Sequence, residues 1–208
     1  MEQLITTVMA VALLAVLGAL GVNYGSEALQ AYQAKSEAAH IVADAQSIAA
    51  AWKSYARGNN GNPALNDYCW GSAGGTDLVT AYLSHLPKPP ASASSSVNYY
   101  YPAVVKDYGV NGSGTKVGPT NTPADTIALQ LQSPRTCSAI AALGGYSGAS
   151  AIAAMSGDLT AVSTHQPYDC LFVDTAGTGA PAQGDAMLFI YRVFDQNNFT
   201  TAARSACP

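Results

Sequence analysis

The chain opens on an uncharged, mostly apolar run from Gln3 to Ser26 and then changes character. Further on, hydrophobic positions recur at spacings of four and three: Ala34, Ala38, Ile41, Ala45, Ile48, Trp52 and Tyr55. That is one face of an α-helix. Lys35, Glu37, Asp44, Gln46 and Lys53 fall off this stripe. Gly58-Asn59-Asn60-Gly61-Asn62-Pro63 is a dense cluster of helix breakers, so the helix should end at Gly58. If both halves are continuous, residues 1–57 form a rod of roughly 85 Å at 1.5 Å per residue. The second half has a stripe to lay against a head. The first half has nothing of its own chain to cover it, and needs lipid or other copies of itself.

The rest of the pattern predicts an α+β head. Thr76–Leu86 reads as a short helix between an N-cap threonine and Pro87. Residues 87–96 are a Pro/Ala/Ser linker. Val97–Val105 is a tyrosine-rich strand that Pro102 confines to an edge. Residues 106–124, rich in Gly, Pro and Asn, read as a long loop. Thr126–Gln132 alternates with period two and is a strand. Ser133-Pro134 opens a helix to Leu143 as N-cap and first-turn residue. Residues 144–167 look irregular, with a helical turn at 149–155. Tyr168–Asp174 and Ala186–Phe194 are the last strands. The expected architecture is an apolar half-helix (1–25), an amphipathic half-helix (26–57) and a head (58–208) whose antiparallel sheet covers Ile41, Ile48, Trp52 and Tyr55.

The flanks of the apolar run change this picture. About 20 apolar residues can span the ~30 Å hydrocarbon core of a bilayer. Yet no Lys or Arg precedes Lys35, and the only charged side chain near the start is Glu2. A signal peptide carries a cationic n-region and a small-residue cleavage site, and a single-pass anchor usually carries a cytoplasmic Lys/Arg cluster. Neither is present. The expectation is that a basic leader has been removed and Met1 is the mature N-terminus, the alternative being an uncleaved signal anchor. Gly18, Gly21 and Gly25 lie where the apolar half ends. Glycine within a helix costs about 1 kcal/mol relative to alanine, so these positions mark either a place to kink or unwind, or packing points between helices in lipid.

Composition narrows the function. Nine basic and 13 acidic residues in 208 give a net charge of −4, which excludes a basic nucleic-acid face and a polybasic lipid patch. Cys69, Cys137, Cys170 and Cys207 contain no C-x-x-C, so neither a zinc ribbon nor a redox pair is indicated. An even count in an exported chain favours two structural disulfides. Cys137 opens a helix after a strand and Cys170 lies inside another strand, so the favoured pairing is Cys137–Cys170 with Cys69–Cys207; the others stay open.

Catalytic patterns are weak. Gly145-Tyr146-Ser147-Gly148-Ala149 approaches a nucleophile elbow but lacks its final glycine. Gly112–Lys116 is a phosphate loop in composition only. His40, His85 and His165 form no ligand pair, and His40 reads as a solvated or capping residue beside the apolar stripe. No enzyme, metal or cofactor is expected.

An N-terminal Met, a nearby Glu ahead of an apolar run, a helix of more than 50 residues and a cysteine-bearing α/β head together resemble the type IV pilins. Length and the Met start are similar to the type IVb branch, which includes the toxin-coregulated, bundle-forming and conjugative-plasmid pilins. Ile127–Leu131 followed by Cys137–Ile140 resembles the strand and helix that open the family's disulfide-bounded region. The resemblance implies prepilin-peptidase processing, N-methylation of Met1, an inner-membrane stage, assembly machinery, and a helical homopolymer outside the cell used for adhesion, aggregation or conjugation. It also implies an acid that neutralises a neighbour's amine, usually the fifth residue. Position 5 here is Ile5, leaving Glu2 to meet the amine of Met1. The family's proline kink would be replaced by the glycines, and its habit of bracketing the variable region implies Cys137–Cys207 with Cys69–Cys170. A minor or tip pilin, a secretion pseudopilin and, more remotely, a secreted enzyme are the alternatives to a major filament subunit.

Overall fold

The computed structural model describes residues 2–62, 78–79, 81–93, 99–110, 116–152, 159–161, 167–175 and 177–194; the side chains of 2–25, 103–110, 116–124, 150 and 159–161 lie outside that description. Its elements are α1 (Glu2–Gly58), β1 (Tyr101–Val110), β2 (Lys116–Leu131), α2 (Pro134–Leu143), β3 (Ser150–Ile152), β4 (Leu159–Ala161), β5 (Tyr168–Val173) and β6 (Met187–Phe194). The long helix ends where the breaker cluster begins. Asn60 and Gly61 take positive φ values of 57° and 83°, and the amide of Gly61 donates back to the Ala56 carbonyl at 2.8 Å. This is the left-handed stop that Asn and Gly tolerate.

The sheet has six strands in the order β3-β5-β6-β2-β1-β4. The four central strands are antiparallel, but β3 runs parallel to β5 and β4 parallel to β1, so the sheet is mixed rather than antiparallel. Both parallel strands are three residues long and lie at the edges, where a crossover can place them without a hairpin. They occupy part of 144–167, which is therefore not the irregular segment expected, and 150–152 is strand where a helical turn was expected.

A second correction concerns residues 106–124. They belong largely to a β1–β2 hairpin in which Val105 faces Ala124 and Val110 faces Lys116, with irregularities near Tyr108. The prolines are accommodated because β2 acquires its second partner, β6, only from Asp125 onward. Pro119 and Pro123 thus lie where β2 has one neighbour. Pro102 likewise pairs with Ile127 on one side, while β4 joins β1 only at Val105–Asp107.

The third correction is the helix expected at 76–86. Its described residues form one wide turn, with the amides of Tyr82 and Leu83 both donating to the Leu78 carbonyl. Leu78 is fully buried in the core, and Leu83 and Leu86 pack against it. Anchoring three leucines in one core outweighs the weak helical preference of a short segment ended by Pro87.

Alternation along the strands sets the layers. Ile127, Leu129 and Leu131 of β2, Cys170 and Phe172 of β5, and Met187, Phe189, Tyr191 and Val193 of β6 form one core with the α1 stripe and with Cys137 and Ile140 of α2. Ala128, Leu171, Leu188 and Ile190 form a smaller buried cluster on the other face with Ile152. Helix α2 starts as its sequence requires, with the Ser133 hydroxyl accepting from the Thr136 amide at 3.2 Å and Pro134 in the first turn. Cys137 and Cys170 are joined, with Cα atoms 5.4 Å apart, and tie α2 to β5.

Candidate assembly surface

The amphipathic half of α1 divides at one residue. Ala34 is the first buried position; from Ser26 to Gln33 every described residue is exposed. Leu29 and Tyr32, one turn apart, leave 58% and 72% of their surfaces open. A leucine and a tyrosine exposed side by side on a helix, directly after an uncharged run, form an apolar patch that the head does not cover. From Ala34 onward the expected stripe is buried: Ile41, Ile48 and Trp52 are fully enclosed and Tyr55 nearly so. Trp52 meets Phe194 edge to face at a centroid distance of 5.5 Å, and Tyr55 meets Tyr82 in the same manner at 5.9 Å.

Polar groups at the edge of the stripe fix the seat of the helix. Tyr100, wholly buried before β1, donates its hydroxyl to Oδ2 of Asp44 at 2.9 Å. Burial, then the charge of Asp44 and this hydrogen bond, push the phenol well above the ordinary tyrosine range. His40, mostly exposed, brings Nδ1 within 3.2 Å of the same carboxylate oxygen. Two turns earlier on the same edge, Thr136 of α2 donates its hydroxyl to Glu37 at 3.3 Å. The β5–β6 connection is held by acids too. Asp174 accepts from the amides of Thr178 and Gly179, and Asp185 from the Ala182 amide and the Thr175 hydroxyl. These bonds, led by the Thr175 hydroxyl, pull the Asp185 carboxyl below its usual value.

The remaining sequence-predicted residues divide as follows. Gly18, Gly21 and Gly25 lie inside α1, which is continuous through them in this single chain. Cys69, Cys207, Met1 and the side chain of Glu2 lie outside the described residues. Among the residues whose side chains are described, no helix is long and apolar enough to cross a membrane; the apolar run itself precedes that set. Gly145–Ala149 follows α2 and leads into β3, without the strand-to-helix context of a nucleophile elbow. Among the described residues no group of three or more His, Cys, Asp or Glu could hold a metal ion. The Asp44–Tyr100 bond joins residues 56 apart in sequence and had no local signal. The exposure of Leu29 and Tyr32 corrects the expectation that the amphipathic half packs on the head from residue 26.

Comparison of the chain with protein-family models, with curated proteins and with solved structures finds no match.

Proposed function

We infer that this chain is a structural subunit that polymerises through the first half of α1 into an extracellular filament of the type IVb pilus kind. The observation that carries the reading is the emergence of α1 from its head at Ala34, with Leu29 and Tyr32 bare and an uncharged run of more than 20 residues ahead of them. Such a helix cannot remain in water. It sits in the inner membrane before assembly and among other copies of itself afterwards, where burial yields about 25 cal/mol per Å² of apolar surface. The disulfide-tied head is the exterior tile. Prepilin peptidase and the assembly machinery are the partners implied, with methylation at Met1, and adhesion, aggregation or conjugation as the use of the polymer. No nucleic acid, metal or cofactor enters the reading.

Glu2 has a defined part in it. An unpaired carboxylate in an apolar helix bundle costs several kcal/mol; no Lys or Arg occurs between Met1 and Lys35, and in this reading the partner of Glu2 is the amine of a processed Met1. Glu2→Ala and Glu2→Leu should therefore reduce filament yield while the head stays folded. Normal pilus number and length in both variants would refute the pairing. A subunit found only in trace amounts among filaments built of another chain would instead identify a minor pilin or a pseudopilin.

A further inference from the structure

The charges of α1 are sorted by side. At roughly 100° per residue, Lys35, Lys53 and Arg57 fall within about 40° of one another along one edge of the helix. All three are exposed, and among the described residues none meets a carboxylate. The acids Glu27, Glu37 and Asp44 lie roughly 80–180° round from that edge. Glu27 is in line with Ala38 and Ala45 on the head side, while Glu37 and Asp44 are half-buried and engaged with Thr136, Tyr100 and His40. Beside the cationic edge, and opposite the buried stripe, runs an exposed face of Leu29, Tyr32, Ala39, Ala43, Ser47 and Ala50. It carries no acid, so two copies of it laid together would offer the cations of neither a partner. A leucine and an aromatic ring at one end, small side chains beyond, and charges of one sign alongside are what an interfacial helix presents to lipid.

We propose that, in the unassembled subunit, this face docks on an anionic phospholipid surface, with the head riding above α1. The inference rests on the membrane stage of the reading above and adds an orientation to it. Three cations spread over about 33 Å of helix, at 1.5 Å per residue, are too few to bring a free protein to a bilayer. In this reading the apolar run already holds the chain there, and the cations have only to choose between an upright head and a lying one. Each Lys or Arg near an anionic surface contributes a factor of about five, so three favour the docked form by about a hundredfold. Leu29 and Tyr32 add to this by entering the headgroup layer, where aromatic rings settle. The bend this requires falls at Gly25-Ser26, directly after the apolar run, a Gly/Ser pair being one of the few sequences at which helices kink sharply. A membrane helix tilts by up to about 40°, so a further bend of about 50° there brings residues 26–57 parallel to the surface. Docked this way, the face is closed to other subunits until the assembly machinery lifts the head.

The test places the full chain in vesicles of phosphatidylcholine alone and of equimolar phosphatidylcholine and phosphatidylglycerol, with a fluorophore attached through Ser47→Cys. Ser47 is exposed on the docking face. Brominated phospholipid should quench the label about threefold or more strongly in the anionic vesicles than in the neutral ones. The triple variant Lys35→Gln, Lys53→Gln, Arg57→Gln should lose that difference, with thermal unfolding of the head unchanged. A label that stays in water in anionic vesicles, or is quenched equally with and without the three cations, overturns the orientation and leaves the membrane stage intact. So does a label shielded without lipid quenching, and increasingly so at higher protein-to-lipid ratio, since a second copy then covers the face. A chain that floats with neither kind of vesicle removes both.

Discussion

Replacing Trp52 by alanine tests how α1 is held to its head. Trp52 is fully enclosed between α1 and β6, with its ring edge-on to Phe194 at 5.5 Å. Loss of a buried tryptophan costs about 3–5 kcal/mol in transfer free energy and residual cavity, of which ~1 kcal/mol is the edge-to-face pair. In a chain of this length each kcal/mol moves the midpoint by about 2–4 °C, so Trp52→Ala should melt roughly 6–20 °C below the parent. The control is Tyr32→Ala, a comparable aromatic truncation on the bare part of the same helix. With 72% of Tyr32 open to solvent, its removal should change head stability by less than about 0.5 kcal/mol. Thermal unfolding of both full-length variants in the same detergent, followed by near-ultraviolet circular dichroism, gives the comparison. Equal midpoints for the two would refute the seating of α1 described here.

Other perturbations address the polar seat and the staple. Tyr100→Phe removes a hydrogen bond to a carboxylate and should cost about 1.5–3 kcal/mol in urea unfolding, with Asp44→Asn less severe because an acceptor remains. The folded-state pKa of Tyr100 is raised, so its contribution is fully present below about pH 10, the unfolded value, and is lost as pH climbs beyond it. Parent stability should therefore fall in strong alkali, and the fall should be smaller in Tyr100→Phe. Reducing Cys137–Cys170, which closes a 33-residue separation, should cost about 4 kcal/mol by the chain-entropy relation. Cys137→Ala with Cys170→Ala should reproduce that loss without reductant.

The parts of this fold that were legible in the sequence are those whose signals are local. The i, i+3, i+4 stripe from Ala34 to Tyr55 located the buried face of α1, and the Gly58–Pro63 cluster located its end. Ser133-Pro134 marked the start of α2, period-two alternation marked the second half of β2, and short apolar runs marked β5 and β6. Elements formed by distant partners were not legible. The first half of β2 is strand because β1 lies beside it, although Pro119, Pro123 and their glycine and asparagine neighbours resemble a loop. Edge strands β3 and β4 are three residues long, too short for any period to appear. The antiparallel expectation failed for the same reason, since the direction of a three-residue strand is set by its crossover and not by its composition. Residues 78–86 show the reverse case, a helical pattern overridden when Leu78 enters the core.

The assembly surface was legible only by subtraction. The apolar run announced a need for cover, but the whole amphipathic half, 26–57, was expected to lie on the head; that 26–33 is bare emerged only from the burial along α1, which begins at Ala34.

The most direct measurement is the composition and form of material sheared from the surface of cells that produce this chain. Electron microscopy with antibody against the head should show long, thin filaments labelled along their whole length. Peptide mapping should find this chain as the main constituent, beginning at an N-methylated Met1. Label confined to filament tips or to the cell envelope, or filaments composed mainly of another protein, would contradict a structural subunit.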